Sequence, residues 1–252
     1  VLLIPYLPPG SWAALRDWRL WLRASLIGGG ITSILTALAT EPIANVFGAF
    51  FIGPIVSYAL SALLLKEPAT WPRTLLMALG FVGVLCVVQP GEEMRPGLNF
   101  ALLAGVFYGA FLTASRWLSG VAPPLTLLFS QLAIPALLTA PFALATMPAL
   151  TGLTAGLVLG SSLSSMAGNL LLILAFTLAA STRLAPFVYF QIITATVLGW
   201  AVFGTWPNPL AFFGIALIIG SGSGSLALPT GPARGPGPRL AAPLPPRADR
   251  RG

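Results

Sequence analysis

Hydrogen-bonding side chains are concentrated in one apolar stretch, VLGSSLSSMAGNLLLILAF, which runs from residue 158 to residue 176. Hydroxyls and an amide bind and orient a polar solute without reacting with it, since none of them is an activated nucleophile or a strong base. An amide that faces hydrocarbon is costly unless it is paired. We therefore expect Asn169 to face inward and, with Ser161 and Ser165, to line a substrate path.

The same stretch carries small residues at every fourth position, namely Gly156, Gly160, Ser164 and Gly168. This spacing places them on one face of a helix, where small residues allow two helices to pack closely in lipid. The serines have a plainer interpretation, in which they donate to carbonyls of their own helix and only assist packing.

The composition excludes most soluble and catalytic classes. The chain has 252 residues, of which 56% are hydrophobic and 8% charged, whereas soluble domains carry about 25% charged residues. It contains no His and one Cys, Cys86, which excludes a Cys/His metal site and an intrachain disulfide. No carboxylate pair falls within an apolar stretch, so we expect neither an enzyme nor a cofactor.

Eight apolar segments are long enough to span a membrane, which needs about 20 residues. Residues 1–8 resemble the end of an earlier span, and the chain is therefore expected to be incomplete at its N-terminus. The fold is predicted to be an all-α polytopic membrane protein, with a disordered, basic, Pro-rich tail at 229–252. The predicted spans are 24–40, 43–65, 73–89, 98–117, 122–145, 152–178, 184–204 and 208–228.

Charge predicts the orientation. If the spans alternate in direction, 12 of the 13 basic residues fall on one side of the membrane and only Arg95 falls on the other, as positive-inside insertion requires. This predicts a bacterial inner-membrane protein with a cytoplasmic C-terminus, and it explains the basic excess without a nucleic-acid partner. The first cytoplasmic loop, predicted at 9–23, carries Arg16, Arg19 and Arg23.

Other charged residues at the predicted cytoplasmic ends have structural interpretations. Arg116 and Arg183 are expected to anchor the topology. Glu67 is expected to pair with Lys66 or with helix ends. No carboxylate lies near the centre of a span, so facilitated exchange and proton-driven transport both stay open.

Two segments of the chain resemble each other, NVFGAFFIGPIVSYALSALLLKEPATWPRTLLMALG and RLAPFVYFQIITATVLGWAVFGTWPNPLAFFG. In both, an aromatic pair leads into a span, a short Pro-containing turn follows, and then a Gly-bearing span. An odd number of spans separates the copies, so they must be inverted in the membrane, a frequent construction in secondary transporters. We predict one repeat remnant at 1–91 and a second, five-helix repeat at 92–228.

Residues 48–91 resemble the EamA-type transporters of the drug/metabolite transporter superfamily. The resemblance rests on a Pro within one helix, on Glu67 at its cytoplasmic end, and on a helix with Gly80 and Gly83. Residues 184–222 resemble the second copy. The resemblance implies ten helices in two inverted five-helix repeats, so this chain would lack the first helix and most of the second.

Two positions depart from the family pattern, and both concern proton coupling. Thr205 stands where the second copy often has an acidic residue. Asn45 stands where related sequences often carry a carboxylate.

Further polar and aromatic groups lie on the other predicted helices. Aromatic faces combined with a few amides and hydroxyls suit a small organic solute, although each aromatic residue also fits ordinary packing or an interfacial belt. Thr113, Ser130 and Gln131 are noted as polar groups within spans. The predicted substrate-binding residues are Asn45, Ser57, Tyr58, Tyr108, Ser161, Ser165, Asn169, Tyr189 and Gln191.

The resulting prediction is a permease that moves a small organic metabolite, such as an amino acid, a vitamin or a nucleoside-like compound, by alternating access. Its expected partners are that small-molecule substrate and the lipid bilayer, and its oligomeric state stays open. The alternatives are a truncated, inactive remnant and a non-transporting membrane scaffold.

Overall fold

Several helices begin where a side chain accepts a hydrogen bond from the free backbone N–H groups of the first turn. Asp17 accepts from the N–H two residues ahead at 2.9 Å, and Asn208 accepts from the N–H three residues ahead at 2.8 Å. Thr151 begins its helix with a capping box shared with Thr154. Beyond these polar starts the helices are apolar.

The computed structural model describes residues 3–41, 43–91, 97–145, 151–204, 206 and 208–228. Within these ranges the chain is helical and has no β-strand, which confirms the all-α prediction. The predictions for the tail 229–252, for Thr205 and for Arg95 lie outside the described residues. A 3-10 turn at Ile4–Tyr6 precedes α1 (Ser11–Ala14), α2 (Trp18–Leu38), α3 (Ile43–Phe50), α4 (Gly53–Leu64), α5 (Trp71–Val88), α6 (Leu98–Trp117), α7 (Pro124–Ala145), α8 (Gly152–Leu178), α9 (Ser181–Val188), α10 (Phe190–Phe203) and α11 (Pro209–Ala227).

Among the described residues, 7 helical segments are long and apolar enough to cross a membrane. The last predicted span, 208–228, forms α11, whose apolar stretch Pro209–Ser225 is shorter. The chain is thus a polytopic helical membrane protein, while eight complete spans and an inverted five-plus-five repeat stay predictions. The seven segments are Trp18–Leu38, Ile43–Leu64, Trp71–Val88, Leu98–Trp117, Pro124–Pro141, Gly152–Leu178 and Ser181–Val202.

The first of these spans begins earlier than the predicted 24–40. Asp17 caps α2, so the helix starts at Trp18. Arg19 and Arg23 consequently lie in the first two turns of α2, and their assignment to a loop is wrong. The consequence is largest for Arg23, which is completely buried.

Two membrane-crossing segments are interrupted beside a proline. A gap of two residues, Phe51 and Ile52, separates α3 from α4, and Pro54 is the second residue of α4. Tyr189 separates α9 from α10, three residues after Pro186. Proline lacks a backbone N–H and its ring crowds the carbonyl four residues earlier, which breaks the regular ladder. Both interruptions fall in the two segments that resemble each other in sequence.

Glycines set the closest helix crossings. A methyl group on Gly83 of α5 would lie 2.7 Å from the carbonyl oxygen of Gly214 in α11, and one on Gly214 would lie 2.5 Å from the Gly83 oxygen. Similarly, a methyl group on Gly53 of α4 would lie 2.9 Å from the Gly105 oxygen of α6. Only the absence of a side chain lets these backbones approach so closely.

The helix α8 is packed very differently. Methyl groups added to Gly156, Gly160 or Gly168 would meet no described atom within 4 Å. The residues that α8 buries, Ile173 and Phe176, lie near its C-terminal end. The small-residue stripe predicted from the sequence therefore makes no close helix contact among the described residues.

Candidate functional site

The two interrupted spans meet at an aromatic contact. Phe51, in the gap between α3 and α4, packs edge-to-face on Tyr189, in the gap between α9 and α10, with 6.1 Å between ring centroids. Tyr58, Met77 and Val84 complete a buried cluster around this contact. The cluster places the interruptions of both predicted copies side by side.

Among the described residues, the hydroxyl group of Tyr189 has no hydrogen-bond partner, although the side chain is 0% exposed. Leaving a buried hydroxyl unpaired costs about 1–3 kcal/mol, and such a group in a native fold requires an explanation. The ring lies against α5, since a methyl group on Gly80 would be 2.8 Å from Cδ2 of Tyr189. The structure thus buries Tyr189 and leaves its hydroxyl without a partner among the described residues, while its assignment to substrate stays a prediction.

Ser57 and Tyr58 are buried and find partners within the protein. Oγ of Ser57 lies 3.4 Å from Oγ1 of Thr113 on α6, and the Tyr58 hydroxyl lies 3.0 Å from Oγ1 of Thr74 on α5. Thr113 also donates to the Gly109 carbonyl of its own helix at 3.1 Å. In this conformation these groups join α4 to its neighbours, and their assignment to substrate stays a prediction.

A polar network joins α2, α6 and α7 around Arg23. Its Nε donates to Oγ of Ser115 at 2.8 Å, Nη1 donates to the Leu127 carbonyl at 3.0 Å, and Nη2 donates to Oε1 of Gln131 at 2.6 Å. The guanidinium carbon lies 4.7 Å from the centroid of the Phe111 ring. These groups hold a full positive charge in the interior of the bundle.

Asn169 extends this network to α8. Its Oδ1 accepts from Nε2 of Gln131 at 2.5 Å, and its Nδ2 donates to the Ser165 carbonyl at 2.8 Å. Asn169 is half-buried, whereas Ser161 and Ser165 are exposed. The inward role expected of Asn169 agrees with this contact, while the two serines line no cavity among the described residues.

The other predicted site residues lie apart. Oδ1 of Asn45 accepts from the backbone N–H of Gly91 at 2.6 Å, which ties α3 to the end of α5. Tyr108 is half-buried, and its ring is tilted by 32° against that of Phe50, with 5.0 Å between the centroids. Gln191 is exposed. The nine predicted residues therefore do not converge on one pocket in this conformation.

An ion pair joins the helix ends on the side that the charge pattern predicts to be cytoplasmic. Nε of Arg116 lies 3.1 Å from Oε1 of Glu67, and Nη1 of Arg116 donates to the Phe176 carbonyl at 2.7 Å. Oε2 of Glu67 accepts from the backbone N–H of Thr182 at 2.9 Å, in the first turn of α9. The predicted pairing of Glu67 with a helix end is confirmed, and its ionic partner is Arg116 rather than Lys66.

A cavity of about 310 Å³ lies where α5, α10 and α11 approach one another. Gln89 and Asn208 exchange two amide hydrogen bonds of 2.9 and 3.0 Å at its edge. Thr196 and Trp206 also line it.

A second cavity, of about 250 Å³, lies between Gly28 and Thr32 of α2 and Pro135 of α7. None of the nine predicted residues lines either cavity.

Sequence reasoning missed Arg23 as a site residue and noted Gln131 only as a polar group within a span. The available signal was Asp17, whose capping position moves the start of the helix to residue 18 and carries Arg23 into it. Among the described residues no group of three or more His, Cys, Asp or Glu is placed to hold a metal ion.

Comparison with known proteins identifies the family. Residues 95–224 match the EamA-like transporter family. The chain belongs to this family. The predicted membership of the EamA-type transporters is thereby confirmed, and the EamA-like chain is a transporter-family protein rather than an enzyme.

Relatives of this EamA-like chain include proteins named as metabolite transporters. It is 24% identical over 225 residues to the S-adenosylmethionine uptake transporter of Rickettsia prowazekii, covering 87% of this chain and 76% of the relative. It is 28% identical over 227 residues to the riboflavin transporter of Rhizobium johnstonii, covering 86% and 73%. A crystal structure 18% identical has the same fold, with a TM-score of 0.73 over 84% of this chain and 78% of that one.

Proposed function

We propose that this EamA-like chain is a secondary transporter that moves a small organic metabolite across the bacterial inner membrane by alternating access. The observation that carries the proposal is the contact between the two interrupted spans at Phe51 and Tyr189. The buried hydroxyl of Tyr189 has no partner there among the described residues. Interrupted helices in corresponding positions of two halves commonly form the substrate site of secondary transporters. The family and the relatives named for S-adenosylmethionine and riboflavin support it.

In the proposed mechanism the halves 1–91 and 92–228 rock about this contact. Each conformation opens the site to one side of the membrane, and substrate affinity for both conformations allows the exchange. Glu67 and Arg116 join helix ends on the predicted cytoplasmic side, so the described conformation is the one closed at that end. The residues proposed to contact substrate are those predicted from the sequence, with Tyr189 foremost.

Uptake into proteoliposomes tests the proposal. The purified full chain is reconstituted and supplied separately with radiolabelled S-adenosylmethionine and radiolabelled riboflavin, and protein-free liposomes serve as the control. We expect saturable uptake of at least one compound above the control. Saturable binding without uptake of either compound would favour the alternatives, an inactive remnant or a non-transporting scaffold.

Topology is tested separately with reporter fusions. Green fluorescent protein fused after residue 252 is expected to fluoresce in bacterial cells, and alkaline phosphatase fused at the same point is expected to be inactive, because the proposed C-terminus is cytoplasmic. The reverse pair of results would overturn the orientation while leaving the transporter proposal intact.

A further inference from the structure

Arg23 lies in the second turn of α2 with 0% exposure, and every acceptor around it is neutral. No acidic side chain in the described part of the chain pairs with it. Burying an unpaired cation costs several kcal/mol. The Phe111 ring offsets part of this penalty, since the face of an aromatic ring attracts a cation and does so more strongly when both are desolvated.

The guanidinium also has donors to spare. An arginine carries five N–H groups, and the three hydrogen bonds of Arg23 go to Ser115, Leu127 and Gln131. One hydrogen on each terminal nitrogen is left for another acceptor. Planar donor groups of this kind bind carboxylate and phosphate oxygens particularly well.

A continuous line of amides leads from this cation to the surface of α8. Gln131 accepts from Arg23 and donates to Asn169, and Asn169 donates to the carbonyl of the exposed Ser165. Gln131 is itself almost fully buried. A movement of α8 that separates Asn169 from Gln131 would therefore free the amide that lies next to the cation.

We infer that Arg23, Gln131 and Asn169 form the subsite for an oxyanion of the transported metabolite, its carboxylate or phosphate. The inference rests on the proposed transport function and specifies its substrate class. The substrate anion supplies the charge that the fold leaves uncompensated. Of the two compounds named for the relatives, S-adenosylmethionine carries a carboxylate and riboflavin carries no oxyanion. The subsite therefore favours a carboxylate-bearing substrate of the first kind.

Two matched pairs of probes test this subsite in the detergent-solubilised full chain by thermal unfolding. The pairs are S-adenosylmethionine with its carboxamide, and riboflavin 5′-phosphate with riboflavin. We expect the oxyanion-bearing member of at least one pair to stabilise the wild type at a concentration about 10- to 100-fold lower than the member without the oxyanion, as for hydrogen bonds to charged groups. Equal effects within both pairs, or no effect of any probe, would overturn the inference.

Variants assign the effect to the residue. Arg23→Gln is expected to abolish the preference for the oxyanion. Arg19→Gln removes the same charge one turn earlier, from a half-exposed side chain paired with Asp17, and is expected to keep the preference. Arg23→Lys keeps the charge but loses the planar donor group, so it is expected to weaken binding severalfold. This second variant keeps the test decisive if Arg23→Gln does not fold. Unchanged affinity in Arg23→Lys would contradict the inference.

Two further measurements, one of lipid binding and one of uptake, separate the inference from a lipid-binding role of Arg23 and from a failure of the transport proposal. Arg23-dependent stabilisation by phosphatidylglycerol micelles, with none by the soluble probes, would assign the cation to a lipid headgroup and overturn the inference. Proteoliposome uptake is then measured with the same probes. Uptake of an oxyanion-bearing probe that is indifferent to Arg23→Gln would support transport and refute the subsite, whereas Arg23-dependent binding without uptake would refute transport alone.

Discussion

Glycines in two regions of this protein have opposite environments. Gly83 and Gly214 bring α5 and α11 into backbone contact, while Gly156, Gly160 and Gly168 of α8 touch nothing within 4 Å among the described residues. Spacing places the glycines of α8 on one face of the helix. It does not say whether that face is used, because the partner is chosen by the tertiary fold.

The largest effect is expected at the packed crossing. Gly83→Leu would drive a side chain into the backbone of α11, where even one methyl group would lie 2.7 Å from the Gly214 oxygen. Overpacking against rigid backbone costs about 3 kcal/mol or more. We expect a large loss of monodisperse protein and a much lower melting temperature in detergent.

The matched control is Gly160→Leu on α8. Since the described residues leave open space there, and leucine favours helix over glycine by about 0.8 kcal/mol, the melting temperature should stay the same or rise. A loss of stability as large as that of Gly83→Leu would show that the stripe is covered in the folded protein and would remove the contrast between the two regions.

An intermediate effect is expected where α8 is anchored. Arg116→Met removes the ion pair to Glu67 and the hydrogen bond to the Phe176 carbonyl near the end of α8. The side chain of Arg116 is partly exposed, so we expect a loss of about 1–3 kcal/mol, measured by thermal or denaturant unfolding. A charge swap, Glu67→Arg with Arg116→Glu, should not restore stability, because arginine cannot accept the N–H of Thr182. Full restoration would show that the ion pair alone matters.

A smaller effect, on transport rather than folding, is expected along α8. Asn169→Leu breaks the contacts with Gln131 and Ser165, and interhelical hydrogen bonds in membranes are worth about 1 kcal/mol. We expect uptake to fall about fivefold with normal membrane insertion. Gln191→Leu is also predicted to impair uptake. Wild-type transport by both variants would refute the predicted substrate path.

The smallest stability effect is expected at Tyr189. Tyr189→Phe removes a buried hydroxyl without a partner, so unfolding should change little or the protein should become slightly more stable. If that hydroxyl binds substrate, the uptake KM rises by about three- to tenfold, the value of one hydrogen bond. An unchanged KM would assign Tyr189 to packing alone.

Much of the fold follows from local patterns in the sequence. The predicted spans 98–117 and 152–178 coincide with α6 and α8, because glycine and polar residues bound long apolar runs that lipid requires to be helical. The predicted start of α2 at residue 24 is wrong, because positive charge does not by itself indicate a loop. Asp17 caps the helix, which therefore starts at Trp18.

The site was harder to predict than the fold, because a polar residue's partners come from distant parts of the chain. Asn169 is a clear candidate from its apolar context alone. Its connection to Arg23 passes through Gln131 and depends on how α2, α7 and α8 pack together. No local pattern encodes that arrangement, and the exposure of Ser161 and Ser165 could not be read from their spacing.

The carboxylate of Glu67 has two tasks at one end of the bundle. It neutralises Arg116, and it completes the first turn of α9 by accepting from Thr182. A movement that carries Glu67 away from both α6 and α9 consequently leaves the first turn of α9 without its acceptor and Arg116 without its counter-charge in the same step.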